Sequence, residues 1–272
     1  MLVFPKAKIN LGLFITGKRP DEYHNIETVF YPVNLCDALE MVAVTGRKKK
    51  DTLEITGYKL PGNTDDNIVI KAACALRKNY HFPWLRIHLH KAIPAGAGLG
   101  GGSSDAAFML RAINRTFDLS ISPDELKKIA ASLGSDSPFF IDSQPAFASG
   151  RGEILTPLST FLTGFYIVLI NPGMLISTKD AYENCIPAKP EMSLIELIRR
   201  PISEWKELIT NDFEKTVFLK YPEIKRIKQR LYESGAIYSS MSGSGSTVYG
   251  IFFKQPVIPS SVKRFVIYTG EL

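Results

Sequence analysis

Between Pro94 and Ala107 the chain carries five glycines, Gly96, Gly98, Gly100, Gly101 and Gly102, then Ser103 and Ser104. An apolar stripe follows at once. Ala106, Met109, Leu110 and Ile113 fall at i, i+3, i+4 and i+7, the spacing of one helical face. Glycines permit positive φ and close backbone approach, and the first N–H groups of a helix have no intrahelical partner and sit at the positive end of its dipole. A loop of this composition at a helix start binds anions, phosphates above all. Upstream, Leu85 to His90 alternates apolar and polar residues, which predicts the order strand, proline-containing turn, glycine loop, helix.

Two common phosphate motifs do not fit. Ser103-Ser104-Asp105 follows the glycines and no lysine opens the helix, so the segment is not a Walker A loop. The chain shows no succession of βαβ units, and the loop begins with proline and is too dense in glycine for a dinucleotide fingerprint. A flexible linker is the plain alternative, with Ser103 and Ser104 acting only as helix caps. Gly/Ser linkers are not normally fused to a strand before and a patterned helix after.

Around the loop the chain alternates strands and helices without regular βαβ order, which predicts an α+β fold. Strands are expected over Ala7–Ile15, Glu27–Val33, Leu39–Val44, Leu53–Ile55, Leu85–His90, Phe165–Ile170 and Thr247–Phe253. Helices are expected over Asn67–Leu76, from Pro123, over Pro201–Ile209 and over Pro222–Ser234. Ser122 reads as the N-cap of the helix at Pro123, with Glu125 completing a capping box and Gly134 closing the other end. Phe147 to Glu153 reads as a glycine-punctuated turn, and a boundary near Glu153 divides the chain into parts 1–153 and 154–272.

With 272 residues, 45% of them hydrophobic and 22% charged, the chain can bury one large or two modest cores. No apolar run approaches the roughly 20 residues of a membrane span, and the start has no signal-peptide or transit-peptide character, so cytoplasmic residence is expected. Cys36, Cys74 and Cys185 lack metal or redox spacing and read as reduced, packed thiols. His81, His88 and His90 likewise have no metal-ligand spacing. The net charge of +6 suits an acidic partner such as a nucleotide. The basic run Arg47 to Lys50 reads as a solvated hairpin turn between the strands at Leu39–Val44 and Leu53–Ile55, because no aromatic residues interleave it as in a nucleic-acid patch.

Three further segments hold candidate chemistry. In the strand from Ala7, Lys8 and Asn10 share one face and Ile9, Leu11, Leu13 and Ile15 the other. Asp136 follows the helix that starts at Pro123; it is suited either to chemistry or to capping what begins at Ser137-Pro138. Tyr23-His24, after Asp21-Glu22, could read a base by stacking and hydrogen bonding or simply pack a turn. Met241 to Thr247 is a second Ser/Gly segment.

Taken in order, Pro5 to Leu11 with Asp21 to His24, the glycine loop, Leu133 to Phe140, and Met241 to Thr247 resemble the motifs of the GHMP kinases, over nearly the whole chain. The resemblance implies an N-terminal ATP-binding domain like ribosomal protein S5 domain 2, a C-terminal ferredoxin-like domain, and an active site in the cleft between them. It also implies ATP and Mg2+ as cofactors and a small alcohol as acceptor. By the same resemblance Lys8 and Asp136 are the catalytic pair. Asn67 and Lys91 approach the adenine, while Pro94, Gly96, Gly98, Leu99, Gly100, Gly101, Gly102, Ser103 and Ser104 bind ATP, the two serines through phosphate or magnesium. Asn10, Tyr23 and His24 contact the acceptor. Tyr-His and the triple glycine match the branch of the family that takes a cytidine diphosphate substrate, although Glu22 replaces the glycine usual before that pair. Asp105 is assigned to capping, since a carboxylate there suits the dipole but not a neighbouring triphosphate. Rival readings are a GHMP kinase of the mevalonate or homoserine type, and a non-catalytic nucleotide- or RNA-binding protein. Retention of Lys8 and Asp136 together with the loop argues against the second. Nucleic acid and membrane are not expected partners, and oligomeric state is not encoded in these spacings.

Overall fold

The computed structural model describes residues 1–44, 50–183 and 185–272. Arg47, Lys48 and Lys49 of the basic run therefore lie outside the described residues. The strands are β1 (Leu2–Val3), β2 (Lys6–Lys18), β3 (His24–Cys36), β4 (Ala38–Ala43), β5 (Thr52–Gly57), β6 (Leu85–Lys91), β7 (Ala146–Ser149), β8 (Ile154–Pro157), β9 (Tyr166–Ile170), β10 (Tyr238–Met241), β11 (Val248–Phe252) and β12 (Val266–Glu271). The helices are α1 (Ile68–Arg77), α2 (Gly101–Thr116), α3 (Pro123–Ala131), α4 (Phe139–Asp142), α5 (Thr178–Glu183), α6 (Leu194–Leu197), α7 (Trp205–Leu208), α8 (Phe213–Lys220), α9 (Pro222–Glu233) and α10 (Ser260–Lys263). They form two compact units, one of Met1–Ala7, Leu35–Ala95 and Gly100–Ser143, the other of Lys8–Asn34, Gly96–Leu99 and Gln144–Leu272.

In the first unit one sheet runs β1-β4-β6-β5. Leu39, Met41, Leu85, Ile87 and Leu89 are buried on it, as are Val69, Ala72, Ala73 and Leu76 of α1. The predicted stripe of α2, Ala106, Met109, Leu110 and Ile113, is wholly buried. The expected hairpin between β4 and β5 does not form. β6 lies between them, antiparallel to β4 and parallel to β5, so the chain leaving β5 crosses through α1 before it pairs. Lys50, the described end of the basic run, pairs with Asp65 at 2.6 Å.

Local signals set the helix ends. Asn67 precedes α1 rather than opening it, and its side chain accepts the Val69 N–H at 2.9 Å. Ser122 caps α3 by accepting the Glu125 N–H at 3.3 Å, but Glu125 does not complete a box; its carboxylate takes the Tyr80 hydroxyl at 2.7 Å. The α3 C-cap is Ser132, so Gly134 lies beyond the helix rather than closing it.

The second unit holds two sheets, β2-β3-β7-β8 and β10-β11-β9-β12. Phe147–Ser149, expected as part of a turn, is strand, because Phe147 pairs with Val29 on one side and Thr156 on the other. The helix expected over Pro201–Ile209 is shorter, a single tight turn at Ile202–Glu204 leading into α7. β9, β11 and α9 bury Val168, Ile170, Val248, Ile224, Ile227 and Leu231 in one core. Both faces of β2 are covered: Lys8 is 4% and Asn10 2% exposed, so the polar face of the strand is an interior one.

Candidate active site

The phosphate loop begins where the sequence places it, but the helix starts inside the glycine run. Gly100, in the left-handed region at φ 70°, is the N-cap of α2, and the first helical hydrogen bond runs from Ser104 N–H to Gly100 O at 2.9 Å. Gly101, Gly102 and Ser103 thus present N–H groups with no intrahelical acceptor. Ser103 and Ser104 stand within the first turn and are not caps. The hydroxyl of Ser104 is fully buried and has no hydrogen-bond partner among the described residues.

Asp105 does not cap the helix either. Its side chain turns inward to the ammonium of Lys91 at 2.6 Å, and Lys91 is also bonded to Asp37. Asp37 in turn accepts the N–H groups of Ala92 and Ile93 at 2.6 and 2.8 Å. Lys91 is 2% exposed, so its ammonium is committed to these two carboxylates. Burial, opposed by Lys91 and reinforced by Asp37, pushes the Asp105 carboxyl up to about 8. This group lies directly under the loop: a Cβ on Gly101 would stand 3.3 Å from Lys91 Nζ and 2.9 Å from Ile93.

The turn carrying Asp136 abuts the same helix start. A Cβ built on Gly134 would fall 3.1 Å from Ser137 Oγ and 3.3 Å from Ser103 Oγ. Ser137 Oγ, like Ser104 Oγ, is buried without a hydrogen-bond partner among the described residues. Asp136 is half-buried in the turn, two residues before Pro138, the N-cap position of α4. In the same unit Asn67 lines a cleft of about 560 Å³ with Tyr58, Lys59, Pro61, Asn63 and Asp66.

The second unit holds Lys8 and Asn10 together with the first half of the loop. Lys8 Nζ donates to Asn10 Oδ1 at 2.6 Å and lies 4.6 Å from the Phe30 ring centre. Asn10 donates to Thr28 Oγ1 at 2.9 Å, and the Thr28 hydroxyl donates in turn to Gly12 O at 2.6 Å. The loop docks on this strand and on the Ser/Gly segment: Lys8 N–H bonds Leu99 O at 3.0 Å, Ser242 Oγ donates to Gly98 O at 2.8 Å, and Thr247 N–H reaches Ala97 O. Gly98 has φ 78°, and a Cβ there would come within 2.0 Å of Ser242 O, so no other residue fits.

Two residues that sequence reasoning did not single out hold this arrangement. Buried Asn211 donates to Met241 O and Gly243 O, each at 2.8 Å, and accepts the Phe213 N–H. Glu214 accepts the Met241 N–H at 2.8 Å and pairs with Lys228. Neither sits in a recognisable motif, and only the folded chain brings them to the segment.

Tyr23 is 57% exposed, with the Arg151 guanidinium 4.8 Å from its ring centre. His24 stacks on Tyr182 at 4.9 Å and 15°. Burial, with Lys18 nearby, lowers the His24 pKa from its ordinary value and favours the neutral ring. Glu22 adopts φ 65°, the left-handed region where a glycine is at ease, and the turn closes through Arg19 N–H to Tyr23 O at 2.8 Å. The backbone at Glu22 is thus one that a glycine adopts freely.

Residues 67–151 match the model of the GHMP kinases N terminal domain and residues 193–266 that of the GHMP kinases C terminal domain. The chain is 52% identical to a 4-diphosphocytidyl-2-C-methyl-D-erythritol kinase of Bacteroides thetaiotaomicron, over 96% of this chain and 95% of that one. It is 45% identical to the protein of that name from Porphyromonas gingivalis, over 94% and 93%. A crystal structure of 4-(cytidine 5'-diphospho)-2C-methyl-D-erythritol kinase superposes with TM-score 0.78 at 33% identity, covering 92% of this chain and 90% of that one. The mevalonate kinase of Methanococcus jannaschii shares the fold at TM-score 0.65 and 13% identity, covering 97% and 92%. The two-domain α+β fold expected from the motifs is the fold of these proteins.

Proposed function

The chain belongs to the GHMP kinase family, and on that premise we propose that it transfers a phosphoryl group from ATP to the 2-hydroxyl of 4-diphosphocytidyl-2-C-methyl-D-erythritol, in the non-mevalonate route to isoprenoid precursors. One observation carries the reading: the free N–H groups of Gly101, Gly102 and Ser103 open α2 beside the turn that bears Asp136. Phosphoryl transfer needs a cradle for phosphate, an aligned hydroxyl and positive charge where negative charge develops. The loop from Pro94 to Ser104 supplies the cradle. Asp136 accepts or orients the proton of the acceptor hydroxyl, and Lys8 holds that hydroxyl and stabilises the developing charge. Asn10, which fixes the Lys8 ammonium, contacts the acceptor, and Tyr23 and His24 read its cytosine by stacking and hydrogen bonds.

Asn67 and the cleft beside it receive the adenine. Lys91 serves the nucleotide indirectly, by holding the loop that binds it. Among the described residues no three His, Cys, Asp or Glu side chains converge on a metal site. Magnesium held chiefly by phosphate oxygens and water needs no such group, and the unpartnered Ser104 hydroxyl in the first turn of α2 is suited to it. Bound there, the ion neutralises phosphate charge. Among the described residues no helix is long and apolar enough to cross a membrane, and we assign the enzyme to the cytoplasm. The division of the chain near Glu153 is proposed as one of sequence, between the two matched family segments at residues 67–151 and 193–266.

ADP release by the purified protein with ATP and magnesium tests the reading. Turnover is expected with the cytidyl substrate and not with mevalonate, homoserine or water. Asp136→Asn and Lys8→Ala should each lower kcat about a hundredfold or more with the fold intact. Turnover with another acceptor would discard the cytidine assignment, and near-normal kcat in either variant would remove that residue from the mechanism.

A further inference from the structure

The far half of α2 borders a second cavity, of about 300 Å³ and open to solvent, which α3, α4 and the first strand also line. Its walls are largely apolar: Ala112, Ile121, Leu126 and Ile141 line it, all at least nine-tenths buried, together with half-buried Phe108. Arg111 stands half-buried in the cavity wall, and the Met1 ammonium, also at the lining, donates to Met41 O at 3.0 Å. Among the described residues the Arg111 guanidinium makes a single long hydrogen bond, 3.4 Å to Phe140 O, and lies 4.7 Å from the Phe108 ring centre. A guanidinium has five N–H donors, so most of this one's capacity is unspent. The other polar lining groups are occupied or add positive charge. Asp142 pairs with Lys127 at 2.7 Å, Asn114 exchanges two hydrogen bonds with Ile121, and Arg115 is exposed at the rim.

We propose that this cavity is a binding site for a small carboxylate with an apolar body, whose head group is held by Arg111. A planar carboxylate matches the guanidinium fork with two parallel hydrogen bonds, and the apolar walls accept the rest of the molecule. Burial lowers the Arg111 pKa, with Asp142 opposing, which agrees with a cation partly stripped of water. Arg111 lies ten residues beyond Gly101 along α2, roughly 15 Å at the helical rise, so the site is separate from the phosphate loop.

Titration calorimetry on the full chain with 4-phenylbutyrate as probe tests the site, with 4-phenylbutanol and 4-phenylbutylamine for comparison. The acid should bind with a millimolar or tighter Kd, and the alcohol and amine about tenfold or more weakly. Arg111→Met, which keeps the apolar stem, should lose the preference for acid while kinase kcat stays within about twofold of the parent, since no hydrogen bond to substrate is removed. Arg111→Lys, should the Met variant fold poorly, keeps the charge without the fork and should bind the acid between the two. Saturating ATP should leave the probe's affinity unchanged. Equal binding of acid and alcohol, undiminished binding to Arg111→Met, or displacement of the probe by ATP would each overturn the proposal.

Discussion

Lys91 Nζ lies 2.6 Å from Asp105 Oδ2, both side chains at most 2% exposed, beneath the first turn of the helix that begins in the glycine loop. Asp37 shares the same ammonium. Two carboxylates facing one buried cation leave an excess negative charge, and Asp105, whose Oδ1 has no hydrogen-bond partner among the described residues, is the one that takes up a proton.

That proton makes stability depend on pH. The Asp105 carboxyl titrates at about 8 in the folded chain against an ordinary value of 3.8, so across this window the folded state binds more protons than the unfolded one. The contribution is fully present below the unfolded value and is lost as pH rises through the folded value. Asp105→Asn mimics the protonated acid at every pH. Its unfolding free energy should fall less steeply with rising pH across this window, by at most about 1.4 kcal/mol per pH unit. Urea melts of the two proteins at several pH values read the difference directly, and parallel pH profiles would reject the protonated aspartate.

The glycine loop separates stability from binding at two positions four residues apart. A Cβ on Gly98 meets Ser242 O at 2.0 Å, and the residue has φ 78°, so Gly98→Ala should cost about 3 kcal/mol or more. A Cβ on Gly102 meets nothing nearer than Ile68 at 4.0 Å. Gly102→Ala should leave stability unchanged or raise it by up to about 1 kcal/mol through helix propensity. It should nevertheless weaken ATP binding, because the added methyl stands where phosphate approaches the backbone. Thermal melts paired with ATP titration check both, and equal effects on stability would contradict the packing.

Asn211 is the hinge pin of the Ser/Gly segment that receives Gly98. Removing its side chain leaves Met241 O, Gly243 O and Phe213 N–H short of a partner in the interior. Asn211→Ala should lower the unfolding free energy by about 2–4 kcal/mol and raise KM for ATP through the displaced segment. Asn211→Asp retains only the acceptor and should be no better. A stability loss below about 1 kcal/mol would show that water replaces these bonds.

What could be read before folding was local. The α2 stripe, the Ser122 cap and the existence of the strand β2 rest on short-range patterns, and each is found where expected. What could not be read depends on partners far apart in the chain. Lys91 meets Asp37 across 54 residues, Gly98 meets Ser242 across 144, and β6 inserts between β4 and β5. Asp105 illustrates the limit: helix position alone suggests capping, and only the buried lysine beneath it reverses the direction of the side chain. Lys8 and Asn10 were legible as one face of a strand, while the burial of that face follows from the sheet and segment that cover it.

Glu22 gives the last test, because it isolates the backbone from the side chains that follow it. Its φ of 65° costs an L-residue about 1 kcal/mol, whereas glycine adopts it freely. The turn is already closed by Arg19 N–H to Tyr23 O and by the Arg19–Asp21 pair at 3.1 Å, so Glu22→Gly changes no contact that positions Tyr23 or His24. The variant should gain about 0.5–1 kcal/mol, the relief of strain outweighing the added freedom of the unfolded chain. KM for the cytidyl substrate should be unaltered. Tyr23→Ala, by contrast, should raise that KM and spare KM for ATP, since the exposed ring is proposed to meet the cytosine of the acceptor and not ATP. Substrate titrations of the two variants side by side decide the matter: a KM shift in Glu22→Gly comparable to that in Tyr23→Ala would mean that the glutamate itself contributes to recognition.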